Sequence, residues 1–195
     1  FDIQTLAHAR VGSWASSAVV QPIVDFQQYD KQTYTSTLKS GQFCPDMIQA
    51  SMRYVNEQGQ IRDSGDEDNY ITKNLANTSV PGLRTDDWLS FYADIPAGAV
   101  QYGGAASFCD MLKPLEGQSQ ENIANAVIQY GGGDPAEYDR QTIADTTIDV
   151  NSSGRPWTFQ YCTEYGWFQT MSEEHPMRSP VIDEAYFSQY CSDAF

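Results

Sequence analysis

Residues 44–55 read CPDMIQASMRYV. Cys44, Ile48, Met52 and Val55 recur at intervals of three and four, which places them on one face of a helix. Pro45 suits the first helical turn, where its missing N–H is no loss. This helical period decides the class, because it returns along most of the chain. Downstream, Thr85 is a candidate N-cap for a helix over Asp86 to Asp94, with Asp86 and Asp87 at the positive end of its dipole. Trp88, Phe91 and Tyr92 form its inward stripe. Gly103-Gly104 interrupts the pattern, Ala105 to Leu112 resumes it around Cys109, and Lys113-Pro114 stops it. Ser119 is a candidate cap for a helix burying Ile123, Val127 and Tyr130, which Gly131 to Gly133 ends. Asp183 to Cys191 reads as a short closing helix.

Upstream the period changes. VGSWASSAVV (11–20) is short, small and apolar, and Gln21-Pro22 ends it, which fits one buried strand. Gln28 to Lys39 returns to a helical reading. DSGDEDN (63–69) is a turn-rich acidic loop without the spacing or closing Glu of a calcium-binding EF-hand. The period of Asp139 to Asp149 decides nothing. WTFQYCTEYGWFQT (157–170) reads as a strand or buried turn running into a helix. The expected fold is mainly α with one strand near the front.

The chain has 195 residues, enough for one domain with a core. Aromatic residues make up 13%, which argues against disorder. Acidic residues number 26 against 11 basic ones, a net charge of −15, so nucleic acid and anionic membrane surfaces are not expected partners. No apolar run is long enough to span a bilayer. The start, FDIQ, is neither a signal peptide nor an initiator Met, and is expected to reflect processing or excision. Cys44, Cys109, Cys162 and Cys191 are widely spaced and even in number, which suggests two disulfides rather than a zinc or redox motif. The sequons Asn77-Thr78-Ser79 and Asn151-Ser152-Ser153 agree with a secreted or endolysosomal protein.

The chemistry of a hydrolase is harder to find. Ser13, in Gly12-Ser13-Trp14-Ala15-Ser16, lacks the closing glycine of a nucleophile elbow. His8 and His175 have no evident triad partners, and Glu173 and Glu174 are too close in sequence to His175 to orient it. No metal-ligand pattern or phosphate-cradling loop is present, and no metal or cofactor is expected. Glu164 lies among Phe159, Tyr161, Tyr165 and Trp167. There a carboxylate is expected to lose hydration and need a partner, as a fold-fixing hydrogen bond or an anchor for a peptide. Trp167 and Phe168 read as core or as walls for a proline ring.

Several blocks in order resemble the S28 serine peptidases: VGSWASSAVVQPIVDFQQY (11–29), DWLSFYADIPAGAVQYG (87–103), FCDML (108–112) and RPWTFQYCTEYGWFQT (155–170). That family includes lysosomal Pro-X carboxypeptidase, dipeptidyl peptidase II, thymus-specific serine protease and fungal prolyl endoproteases. The last block is the most specific. The resemblance implies an α/β-hydrolase-type serine peptidase whose helical cap insertion covers the active site. Residues 1–24 would be a residual strand region of the core and 25–195 the cap. It places the nucleophile before Val11 and the acid and base after Phe195, so no catalytic residue is carried by this chain. It implies Cys44–Cys109 and Cys162–Cys191 bridges, Trp167 in the substrate proline pocket, and Glu164 supporting that pocket.

The expected activity is hydrolysis beside proline in peptides by a secreted or lysosomal enzyme, this chain supplying the substrate-selecting cap and being inactive alone. The expected partners are a proline-containing peptide and the α/β-hydrolase core. Without that core an apolar underside would favour a homodimer or marginal stability. The rivals are a non-catalytic secreted binding module and, behind it, a glycosidase.

Overall fold

The computed structural model describes residues 43–150, 152–171 and 177–195. Among the described residues the protein is helical and has no strand. The expected strand at 11–20 and helix at 28–39 lie outside them, as do Ser13, His8, His175 and Asn151. The helices are α1 (Phe43–Asp63), α2 (Tyr70–Leu75), α3 (Thr85–Gln101), α4 (Ala105–Leu112), α5 (Gln120–Gly131), α6 (Arg140–Ala144), α7 (Gly154–Gln160) and α8 (Glu184–Ala194). Short 3-10 turns occupy Lys113–Leu115 and Pro135–Tyr138, and a π-turn, Tyr161–Tyr165, continues α7.

The first half is a three-helix layer in which α1 packs on α3 and α5, and α3 also on α5. The face of α1 anticipated from its period is the buried one: Cys44, Ile48, Met52 and Val55 all lie in the core. Gly59 continues that face and sets the closeness of α1 to α3. A Cβ there would stand 2.9 Å from Thr85 Cγ2 and 3.3 Å from Leu89 Cδ1. From α3, Trp88 stacks on Tyr92 at 5.6 Å and meets the edge of Tyr70 at 5.9 Å. Offset and edge-on contacts of this kind add to the stabilisation from burial alone. The Cys44–Cys109 disulfide ties the first turn of α1 to α4.

Two helix ends differ from expectation. Thr85 is the first residue of α3 and not its cap; Arg84 holds the cap position without a side-chain cap bond. The Thr85 hydroxyl instead donates to Asp63 Oδ1 at 2.5 Å, joining the end of α1 to the start of α3. The helix also runs past Asp94 and through Pro96 to Gln101. An interior proline removes one backbone hydrogen bond. Here Ile95, Pro96, Ala97 and Ala99 are all buried, and that apolar face carries the helix across the defect. Ser119 does cap α5, accepting from the Asn122 N–H, and Gly132 ends it in the left-handed region at φ 59°.

The second half closes over the α3 side. Asp183 caps α8 by accepting from the Tyr186 N–H at 2.8 Å. The Cys162–Cys191 disulfide pins α8 to the π-turn. Arg140, at the start of α6, joins three elements. Its guanidinium donates to both carboxylate oxygens of Asp87 at 3.1–3.3 Å, to Asp86 at 3.4 Å and to Asp193 at 2.5 Å. It also lies over the rings of Tyr186 and Tyr190. Burial pushes the Asp87 carboxyl up to about 6, against the pull of Arg140.

Candidate substrate cleft

The aromatic block 157–170 folds in the reverse order to the one expected. A helix comes first, the π-turn follows, and an irregular stretch comes last, after Gly166 at φ 62°. The i, i+4 aromatic pair explains the helix: Trp157 and Tyr161 meet edge-on at 6.1 Å across one turn. Only a left-handed residue then lets the chain reverse, and Gly166 provides it. Trp167 is thereby turned back toward α7, where its ring stands 6.5 Å from Trp157 at an interplanar angle of 64°.

Both indoles are half-exposed, Trp157 at 45% and Trp167 at 49%. They wall a cleft of about 210 Å³ that Tyr161, Tyr138, Gln169 and Asp94 help to line. Pockets for drug-sized ligands run to roughly 300–1,000 Å³, so this cleft is a small one. Behind it, Phe168 turns inward and stacks on Phe187 at 5.0 Å. Phe168 thus belongs to the core, while Trp167 is half-exposed and lines the cleft.

Glu164 does not meet the expectation set for it. It lies in the π-turn with its side chain exposed, so its carboxylate keeps its hydration and needs no buried partner. Its aromatic neighbours in sequence include Tyr161 and Trp167, which face the cleft, while the turn sends Glu164 outward. The sequons divide between described and undescribed residues; Asn77 is exposed after α2. Both disulfides join the cysteines that the resemblance paired.

The polar floor of the cleft comes from residues that sequence reasoning did not single out. Asp94, on α3, accepts from the Tyr138 hydroxyl at 2.7 Å. Its other oxygen stands 2.5 Å from Arg178 Nη2, a close charge contact that is poorly aligned as a hydrogen bond. The same Nη2 donates to Gln169 Oε1 at 2.5 Å. Arg178 is only 2% exposed, and its Nε and Nη1 have no acceptor among the described residues. The sequence carries one faint signal of this role. Basic residues number only 11, and Arg178 is one of them, set between Met177 and the apolar pair Val181-Ile182.

The described residues thus form a helical layer with a small aromatic cleft carrying fixed polar groups. The family model described as serine carboxypeptidase S28 matches residues 5–195. A probable serine protease of Arabidopsis thaliana, EDA2, is 28% identical over 199 residues, which cover 96% of this chain and 38% of that protein. No solved structure matches. The chain belongs to the S28 serine carboxypeptidase family, a family of serine peptidases. It spans well under half the length of the relative it matches.

Proposed function

We propose that this chain forms the helical cap of a proline-directed serine peptidase, and that the Trp157–Trp167 cleft receives the substrate proline ring. The observation that carries this reading is the pair of half-exposed indoles around a one-residue cleft. A pyrrolidine ring is apolar and flat, so an indole face and edge can cover it while water is excluded. The bond-breaking chemistry would be acyl transfer to a serine, with nucleophile, acid and base outside these residues and no metal or organic cofactor needed. The cap selects by size: a cleft of this volume admits one side chain and leaves the scissile bond at its rim. Glu164, exposed on the π-turn that leads to Trp167, is given its pocket-supporting role by the family resemblance alone.

Two disulfides and an exposed sequon at Asn77 support a secreted or endolysosomal setting, where thiols oxidise and asparagines are glycosylated. The −15 charge supports the same setting and disfavours nucleic acid and anionic membranes as partners.

The test uses the natural polypeptide that carries this sequence. It is treated with a fluorophosphonate label, read by intact mass, and then assayed with paired peptides that differ only by proline or alanine at one position. One adduct and cleavage confined to the proline peptide are expected. Absence of an adduct, or equal cleavage of both peptides, would overturn the reading.

A further inference from the structure

Gln169 lines the cleft beside Trp157 and Trp167. Its amide has an oxygen and an NH2 end, and the neighbouring arginine decides which faces where. A guanidinium can only donate, so the atom it grips must be Oε1. The NH2 group is then held on the side away from Arg178, and no described residue accepts from it. Asp94 is already engaged by the Tyr138 hydroxyl and the Arg178 charge. Its orientation and charge are therefore used within the protein.

Proline has no backbone N–H. A site that selects proline gains nothing from an acceptor aimed at that nitrogen. The proline residue itself offers only its carbonyl oxygen to polar recognition, and that oxygen needs a donor. From these constraints we propose that Gln169 donates from Nε2 to a substrate backbone carbonyl next to proline, and that Arg178 is the positioning residue fixing the amide for that bond. This rests on the cleft taking proline.

The burial of Arg178 points the same way. An arginine 2% exposed, with Nε and Nη1 unpartnered among the described residues, is an unfavourable way to hold a fold together. The two groups it does grip, Asp94 and Gln169, both line the cleft. Its role is to orient the polar side of a binding surface.

The experiment measures binding of acetyl-alanyl-proline methylamide to the natural polypeptide that carries this sequence by titration calorimetry, with a thermal melt of each variant. Gln169→Glu keeps the acceptor that Arg178 holds and replaces the donor by a second carboxylate oxygen. It is expected to weaken binding by about tenfold or more while leaving the melting temperature unchanged or higher, because a carboxylate pairs better with the guanidinium. A merely structural Gln169 would not separate the two readouts in that way. Arg178→Lys, which keeps the charge but loses the planar guanidinium whose Nη2 meets both Asp94 and Gln169, is expected to weaken binding severalfold. Trp167→Ala reports on the cleft itself. If Trp167→Ala abolishes binding and Gln169→Glu stays within about twofold of wild type, the carbonyl role is refuted and the proline cleft stands. If the wild-type chain does not bind the peptide, both fall.

Discussion

Replacing Arg140 by methionine removes the cation that joins α3, α6 and α8 while keeping an apolar stem against Tyr186 and Tyr190. The carboxylate left behind decides the size of the effect. Asp87 is 1% exposed and takes three of the Arg140 contacts, so without them it is a buried charge with no buried counter-ion. Breaking a buried pair from one side costs about 3–5 kcal/mol. For a protein of this size that corresponds to a fall in melting temperature of roughly 6–20 °C. Asp193 gives the contrast. Its side chain is 35% exposed and can return to water when its partner is lost, so Asp193→Asn should cost no more than about 1 kcal/mol. The assay is calorimetric melting at pH 7 with both disulfides intact. Acidification should restore part of the loss in Arg140→Met, because protonated Asp87 no longer needs a cation. A variant melting within about 3 °C of wild type would refute the assignment of Arg140 as the joint, as would an equal loss in Asp193→Asn.

The wild-type stability should itself depend on pH. Asp87 titrates near 6 in the folded state against an ordinary 3.8, so between these values the folded protein holds the extra proton and stability rises as pH falls. Asp193, held down by Arg140, acts oppositely. So does Asp86, which stays low despite burial through Arg84 and Arg140. Their stabilisation is present above 3.8 and is lost as pH falls below it. Melting temperature should therefore peak between pH 3.8 and about 6, and a peak above pH 7 in a buffer scan would contradict this. The disulfides close loops of 65 and 29 residues. Urea unfolding of the paired serine variants should show losses of roughly 4.3 kcal/mol for Cys44–Cys109 and 3.6 for Cys162–Cys191 on the chain-entropy model. A larger loss for the shorter loop would count against that model here. Gly132→Ala should cost about 1 kcal/mol by the same measurement, because φ 59° is strained for any residue with a Cβ.

Helices with a single buried face were legible from sequence because burial imposes a period. Cys44, Ile48, Met52 and Val55 show it in α1, and Ile123 and Val127 show it in α5. The cap that a local side chain makes at Ser119 was legible too, whereas Asp183, read as the first residue of the closing helix, is its cap. Thr85 was misplaced by one residue because its hydroxyl answers to Asp63, a partner 22 positions away that no local rule reveals. Residues 157–170 were read in the wrong order for a related reason. Aromatic density announces burial but not direction, and the outcome hangs on Gly166 adopting positive φ. Glu164 was expected to be desolvated because its sequence neighbours are aromatic; in a tight turn, neighbours in sequence point different ways. Trp167 was reached through the family resemblance. Asp94, Gln169 and Arg178 were not reached at all, since their relation is a contact between segments and each alone is an ordinary polar residue.

The bridge between Cys162 and Cys191 makes a covalent ring of everything from the π-turn to α8, with Trp167, Gln169 and Arg178 inside it. One cleavage inside the ring releases nothing: both new ends stay anchored, one through each cysteine, and the pieces still meet across the cleft. Such a nicked chain would run at its full mass on a non-reducing gel and separate in two only after thiol treatment. The ring gives the cleft a tolerance to proteolysis that the same helices, joined by packing alone, would lack.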